Sequence, residues 1–588
     1  MKRPAPLRPL SSSASTAPTG AKELLSPKSC ILVGALMVIT VFVIYSPALH
    51  FQFILDDHRF TGDPRLQSSG HLWEYFTSFV WAQVSGGPVS FYRPLFLLWL
   101  RLNFLFTGAS PWGWHLLSIA KHASVAALLG LLVWKLLRDR VAALMAAALF
   151  ALHPAQTESV AWVTVPDPLM SFAALAAVFL FLGYLERAAA PNQLADDKLG
   201  GKSNKKSRKQ PRRESKDDTS LLWLIASALA CLGALMSKET AVVLPVVLFA
   251  LALFQSWQKP AGEKTSAIQS PEFSSRLLRP ILQTLPFLLV TILYFLLRFF
   301  ALGGQLTTLT QHLPWTTVLL SWPATLWFYV KVLFWPVRSR AFADPSIVDA
   351  FSFRAVVLPG LGVLLVSAMV AALCFWIWKT ARRNLPGRGV AGVERALLLG
   401  VLFLVLPLLL TLNLNALNPC DFLHGRYTYL PLAGLMLVLS PGWHLAGKNR
   451  SVLLAAAGAI AVAFAVLSIQ QESIWKDDLT VFTVAHELAP HNAPVAQSLV
   501  RAHVQVALDL DDADRCDEAM PMFDDAIRQY PDDWYAWAGQ GECFFKLDDL
   551  PKAEQSLRRA AQLSQQPRVN EEWQMVRQKM GLPSTSSQ

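Results

Sequence analysis

The chain has 588 residues, 53% of them hydrophobic and 16% charged, with a mean hydropathy of +0.37 and a net charge of +11. Such figures exclude an ordinary soluble enzyme and describe a polytopic membrane protein with polar appendages. The positive charge does not point to nucleic acid, because the basic residues gather in short loops between apolar runs, where the positive-inside rule puts them.

Residues 1–28 are rich in Ser, Pro and Ala, carry Lys2, Arg3, Arg8, Lys22 and Lys28, and read as a disordered basic cytoplasmic arm. The apolar run 29–55 is too long for a signal-peptide core and reads as a retained span leading outward. Asp56 and Asp57 follow it directly. Two adjacent carboxylates at the mouth of a bilayer are costly, which marks chemistry or cation binding; a simple turn or helix cap is the competing reading.

Residues 56–112 form an extracytoplasmic loop with Trp73, Tyr75, Phe76, Phe79 and Trp81. Inside it FYRPLFLLWLRLNF (91–104) carries Arg93, Arg101 and Asn103, so it reads as a helix lying in the interface. Spans at about 115–137 and 140–152 lead to the outer segment HPAQTESVAWVTVPDP (153–168) and a return span at about 169–186. Segment 187–219, with KSNKKSRKQPRR at 202–213, is the strongest cytoplasmic marker. Spans at about 220–236 and 241–257 flank Ser237-Lys238-Glu239 on the outside, and a span at about 281–300 ends near Arg298. The run 315–335 is interrupted by Pro314, Pro323, Lys331 and Pro336. As a full span it would place Lys379, Arg382, Arg383, Arg388 and Arg395 outside, so it is read as re-entrant or interfacial. Spans at about 355–378, 396–413, 427–446 and 451–470 complete a total of about eleven. The N-terminus then lies inside and the tail outside.

From 471 the chain turns acidic and amphipathic. Ala519, Phe523, Ala526 and Pro531 recur 34 residues later as Ala553, Leu557 and Ala560 without the proline, while Trp537, Gly541 and Phe544 fill the first helix of the second copy. Phe482, Ala485 and Pro490 keep the same spacing. This is the tetratricopeptide pattern, with small residues where paired helices touch. The fold expected is all-α: a membrane helix bundle over 29–470 and a tetratricopeptide domain over 471–588. Cys30, Cys231, Cys374, Cys420, Cys516 and Cys543 form no CxxC pair, so spacing supports neither a zinc site nor a redox motif. Cys516 and Cys543 read as unpaired small apolar residues, with a bridge left open for an extracytoplasmic tail.

On this topology Asp56, Asp57, Arg93, His153, Glu158, Asp167, Lys238, Glu239, Arg298 and Arg426 all fall outside. A transporter would place ionisable groups at the midplane, with a duplicated half. A one-sided set of carboxylates and cations suits an enzyme that takes a membrane-dissolved phosphate substrate from one leaflet.

FYRPLFLLWLRLN, PWGWH (111–115), Lys121-His122-Ala123, HPAQTES, SKET (237–240), GRYTYLP (425–431) and Trp475 together resemble the transmembrane and tetratricopeptide repeat O-mannosyltransferases and their bacterial relatives. Those are GT-C-type glycosyltransferases, and the resemblance runs in order over about 30–500. It implies a GT-C-like fold, a polyprenyl- or dolichyl-phosphate sugar as donor, and transfer to Ser or Thr of a protein acceptor held by the repeat tail. The family's second histidine in His-Pro-x-His is Gln156 here, its Gly-Arg-Ala-Asp stretch ends as Val165-Pro166-Asp167, and the acid often found before Arg426 is Gly425.

The chemistry assigns roles. A hydroxyl attacking an anomeric carbon needs a base, and a phosphate leaving group needs positive charge more than an acid. Asp56 is the expected base, with Asp57 and Glu158 as its catalytic partners and inversion as the outcome. Arg93, Lys238, Arg298 and Arg426 are expected at the donor phosphate, and His153, Asp167 and Tyr427 at the substrate. Competing readings give Arg93 to lipid headgroups, His153 to a helix end and Glu158 to a bridge with Lys238. No cofactor is required, though the acid pair leaves a divalent cation open. The expected partners are donor, acceptor protein and membrane lipid; the expected location is a bacterial inner membrane, or the endoplasmic reticulum in a eukaryote. Transfer to a glycan or lipid, and a non-enzymatic scaffold, are the rival readings.

Overall fold

A computed structural model of the chain describes residues 27–83, 91–199, 214–258, 273–305, 312–337, 347–417, 423–564 and 566–583. Nearly all of the basic arm, the run 202–213 and Cys420 lie outside the described residues. Among those described, helices account for all the regular structure.

The membrane part begins with α1 (Pro27–Ile44), shorter than the run 29–55 because Pro47 turns the chain into a single-turn helix at Ser46–His50. The loop beyond it folds as α2 (Asp56–Thr61), α3 (Pro64–Gln67), α4 (Glu74–Thr77) and α5 (Pro94–Thr107). Then come α6 (Pro111–Leu137), α7 (Arg140–Ala151), α8 (Thr157–Ala161), α9 (Asp167–Leu199), α10 (Glu214–Ser237), α11 (Leu244–Trp257), α12 (Phe273–Ala301), α13 (Trp315–Phe334), α14 (Leu358–Asn384), α15 (Gly387–Leu410), α16 (Tyr429–Leu445) and α17 (Arg450–Glu472). The tail holds α18 (Asp478–Leu488), α19 (Ala493–Asp512), α20 (Cys516–Gln529), α21 (Trp534–Lys546), α22 (Leu550–Leu563) and α23 (Pro567–Lys579).

Nine helical segments among the described residues are long and apolar enough to cross a bilayer, and α13 is one of them. Side-chain ties show which ones join two faces. At one face Asp139 takes His444 at 3.0 Å and also binds Arg450, while Arg382 pairs with Glu394 at 2.9 Å. At the other, Arg298 meets Glu239 at 3.4 Å and the Gln52 amide donates to the Lys476 carbonyl at 2.9 Å. Both ends of α13 belong to that second face. The Leu313 amide donates to Asn415 at 2.8 Å, the Leu333 carbonyl accepts from His153 at 3.1 Å, and the Pro336 carbonyl accepts from Gln471 at 2.7 Å. A helix of 20 residues with Pro323 inside it is therefore tied at both ends to that face. Among the described residues, α1, α5 and α7 are apolar as well but shorter than the nine.

Helix α16 is the axis of this bundle, apolar and buried along most of its length. It meets α15 backbone to backbone: a Cβ on Gly434 would stand 2.4 Å from the Leu404 nitrogen and 2.7 Å from the Gly400 carbonyl oxygen. Small residues allow such an approach where lipid removes the hydrophobic drive between helices.

In the tail, Ala519, Phe523, Ala526, Ala553, Leu557 and Ala560 are buried, as the repeat pattern requires. Gly541 gives way to Leu557 across the α21–α22 pair. Cys516 and Cys543 are joined as a disulfide between α20 and α21, with Cα atoms 5.3 Å apart. This corrects the unpaired reading; the helix pairing brings together two cysteines 27 residues apart in sequence. The first tail helices are not a free appendage. Val481, Phe482, Ala485, Val495 and Ala502 share one buried cluster with Ile54, Ala161, Trp162 and Trp475.

Candidate active site

The loop after α1 is a small folded platform. Phe53, Phe60, Leu66, Tyr75, Val80, Phe96, Leu97, Leu100 and Trp114 bury one another beneath α5, and a fully buried Asp63–Arg65 pair at 2.6 Å stiffens its turn. Helix α2 starts at Asp56, straight after Leu55, whose φ of 52° is left-handed. That conformation is uncommon for a branched residue. Two tail contacts hold it: the Leu55 amide donates to Asp478 at 2.8 Å, and His58 meets the other oxygen of Asp478 at 3.2 Å.

The two aspartates differ sharply. Asp57 is fully buried; Oδ1 accepts from the Thr164 amide at 3.1 Å and the Thr164 hydroxyl at 2.7 Å, and Oδ2 accepts from the Ile54 amide at 3.2 Å. Burial nevertheless pushes its carboxyl up to about 7. Asp56 is half-buried at the helix start. Asp57 thus locks the loop to the 153–168 segment, and Asp56 is the member of the pair with access to solvent.

Beside this loop the cations form a row. Arg93 grips Glu239 at 2.7 Å, and Arg298 reaches the same carboxylate at 3.4 Å. Lys238 binds both oxygens of Asp167 at 2.6 Å and lies 4.6 Å from the centre of the Tyr427 ring. Arg426 stands 4.4 Å over Trp162 and 5.6 Å from Tyr427, so Tyr427 is flanked by two cations. Glu158 receives the Arg426 amide at 3.0 Å and its guanidinium at 3.4 Å, together with His424 at 3.0 Å. Its burial would raise its pKa, but His424 and Arg426 outweigh that and hold the carboxyl below its ordinary value. A Cβ on Gly425 would stand 3.1 Å from Glu158 Oε2, a tight approach.

One alternative reading drawn from the sequence does not hold. Glu158 is bound to Arg426 and His424, and Lys238 to Asp167, so the alternative bridge between Glu158 and Lys238 does not form. Glu158 acts here as an anchor for the Gly425–Thr428 turn. Both ring nitrogens of His153 are engaged: Nε2 donates to the Leu333 carbonyl at 3.1 Å and Nδ1 accepts from the Ala155 amide at 3.2 Å. Burial keeps this imidazole neutral, lowering it to about 4. Donors reach both oxygens of Asp57. Among the described residues, the group with three ligand-type side chains in reach of one another is Asp511, Cys516 and Cys543, far along the tail, where the two sulfurs are bonded to each other.

Sequence reading gave no role to His424, Asp478 or Lys121, and placed Glu239 on the outer side without one. His424 and Asp478 left no signal in spacing. Glu239 stands next to Lys238 and is legible as its neighbour. Lys121 has the clearest signal, a lysine within an otherwise apolar span.

The chain is similar to several known proteins. The tetratricopeptide repeat family matches residues 506–567. The mouse protein O-mannosyl-transferase TMTC3 is 24% identical over 552 residues, which is 90% of this chain and 55% of that one. The fruit fly (Drosophila melanogaster) O-mannosyl-transferase Tmtc1 is 36% identical over 123 residues, 20% of this chain and 14% of its own. The human protein O-mannosyl-transferase TMTC3 is likewise similar, 23% identical over 557 residues. The chain spans about half the length of the TMTC3 relatives that it matches over most of its own length, at 55%. Among solved structures, an Archaeoglobus fulgidus oligosaccharyltransferase in its apo form is similar at a TM-score of 0.41 and 12% identity, covering 81% of this chain and 60% of that one. The TMTC resemblance carried by Tyr92-Arg93-Pro94-Leu95 and the HPAQTES block is therefore the one that comparison returns.

Proposed function

We propose that the chain is an integral membrane glycosyltransferase that moves a mannose-like sugar from a polyprenyl-phosphate donor to Ser or Thr of a protein, with inversion. The observation that carries this reading is one juxtaposition. A half-buried carboxylate, Asp56, starts a helix fixed by Asp57, and a row of cations from α5, the start of the α11 segment, α12 and the Gly425–Thr428 turn lies on the same face.

In this reading Asp56 takes the proton of the acceptor hydroxyl while that oxygen attacks the anomeric carbon. The bond to the phosphate oxygen breaks, and the leaving phosphate keeps the electron pair under the field of the cations. One attack at one face inverts the centre. Arg93, Lys238, Arg298 and Arg426 are held in order by Glu239, Asp167 and Glu158, four cations to three carboxylates, and the excess positive charge favours a phosphate. Tyr427 and Asp167 sit where a sugar meets that network. The face is extracytoplasmic, in a bacterial inner membrane or an endoplasmic reticulum, and the tail presents the acceptor protein.

The test is sugar transfer by purified full-length protein from a polyprenyl-phosphate mannose donor to a Ser/Thr-containing acceptor polypeptide. Asp56→Asn keeps the shape but cannot take the proton, so the rate should fall by roughly 10² to 10⁴. Transfer at the wild-type rate would remove the aspartate from catalysis and favour a scaffold. Transfer to glycan or lipid alone would change the acceptor class.

A further inference from the structure

Lys121 is the cation that this network does not explain. It lies within α6, ten residues past Pro111, which places its Cα roughly 15 Å along the helix from that end. Its side chain is 6% exposed. Among the described residues its Nζ has no ion pair with a carboxylate; its contacts are the Val165 carbonyl at 3.5 Å, the outer limit of a hydrogen bond, and the Trp99 ring at 5.4 Å. Asp57 and Asp167 lie within reach of its field, but Thr164 and Ile54 hold the first and Lys238 the second.

Every other cation in the row touches a carboxylate. A buried ammonium without one is strongly unfavourable, and an ionisable group inside a span is retained for a purpose. Its position suggests which. Val165 follows Thr164, whose amide and hydroxyl fix Asp57, so Nζ adjoins the loop that carries the catalytic pair. Trp99 belongs to α5, the apolar helix that follows Arg93, and so Nζ also adjoins a lipid-facing element.

We propose that Lys121 binds the phosphate of the lipid-linked donor directly, the isoprenoid chain leaving along α5 past Trp99. This deepens the function proposed above and rests on it. On transfer the phosphate goes from one negative charge to two, as the bond to the anomeric carbon breaks and its electrons stay on the phosphate oxygen. The ammonium supplies the compensating charge, and the acceptor's proton goes to Asp56.

The experiment is equilibrium binding of radiolabelled polyprenyl monophosphate to full-length protein in lipid nanodiscs, with polyprenol as the uncharged competitor. Wild-type protein should prefer the phosphate. Lys121→Met should weaken phosphate binding by roughly 10- to 100-fold while leaving polyprenol binding unchanged, since a hydrogen bond to a charged group is lost. Lys121→Arg, which keeps the charge, should restore most of it. In transfer assays the donor KM should rise and the acceptor KM should not. A photoreactive polyprenyl phosphate should also label the α6 peptide in wild-type protein, a readout that depends on no variant's folding. Unchanged phosphate affinity in Lys121→Met, or labelling confined to other helices, overturns the assignment. A wild-type protein that cannot tell polyprenyl phosphate from polyprenol refutes the donor class itself, not this residue.

Discussion

The sharpest prediction concerns the proton on Asp57. Burial pushes its carboxyl from the ordinary 3.8 up to about 7. That rise corresponds to on the order of 4 kcal/mol favouring the neutral form. It is what remains after three donors have acted in the opposite direction, and hydrogen bonds to a charged group contribute roughly 1.5 to 3 kcal/mol each. Desolvation wins. The sign for stability follows: the folded chain keeps the proton over a range where the unfolded chain has lost it. Stability is therefore full below about 3.8 and declines as pH rises towards about 7. Asp57→Asn removes the titration. It keeps Oδ1 for Thr164 but turns an amide donor towards the Ile54 N–H, a mismatch worth roughly 1 to 3 kcal/mol. The variant should thus be the less stable protein at about pH 4, and the gap should close or reverse by about pH 8. Thermal unfolding in detergent over that range measures the gap, and an infrared carboxylic-acid band that titrates in wild type but not in Asp57→Asn identifies the group. Transfer should also survive Asp57→Asn better than Asp56→Asn. A stability gap that stays constant across the range, with no titrating band, would refute the reasoning.

Gly434→Ala should destabilise the bundle by about 1 to 3 kcal/mol or more, because its Cβ meets backbone atoms of α15 that have nowhere to go. Gly458→Ala in α17, with nothing within 4 Å, is the matched control and should be neutral or stabilising in the same thermal assay. Asp478→Ala removes the acceptor for both Leu55 and His58. The hydrogen bond and charge of Asp478 raise the His58 pKa, so the tie is fully present below the unfolded value and is lost as pH rises through the folded one. NMR titration should show His58 falling back in the variant, and transfer should slow while binding of donor lipid is spared.

The bundle is legible in the sequence because its signals are local. Runs of apolar residues and the basic turns between them each carry their meaning in a short window, so an all-helical membrane bundle is read from them directly. The repeat in the tail is legible for the same reason, with small and large residues at fixed spacing. Partners across the fold are not. Nothing near Glu158 in sequence says that it holds Arg426, 268 residues away, or that His153 caps its own turn while bonding the Leu333 carbonyl. The cysteines illustrate the limit differently: their pairing depends on how α20 meets α21, which spacing alone leaves open. Lys121 is a third kind of case, because the Lys121-His122-Ala123 motif absorbs a residue whose stronger signal is a charge inside a span.

The tie between Leu55 and Asp478 also bears on the order of events when the chain is made. These two residues are 423 positions apart, so the amide of Leu55 waits through nearly the whole membrane domain for its acceptor. A left-handed non-glycine residue costs roughly 1 to 3 kcal/mol unless its surroundings hold it. Until α17 has crossed and α18 has formed, nothing provides that hold, and the peptide leading into Asp56 relaxes to other conformations. The carboxylate pair, early in the chain, is then among the last parts to take its folded shape. A nascent chain held short of α18 would carry its spans and its cations but not a set catalytic loop, which ties the onset of chemistry to completion of the fold.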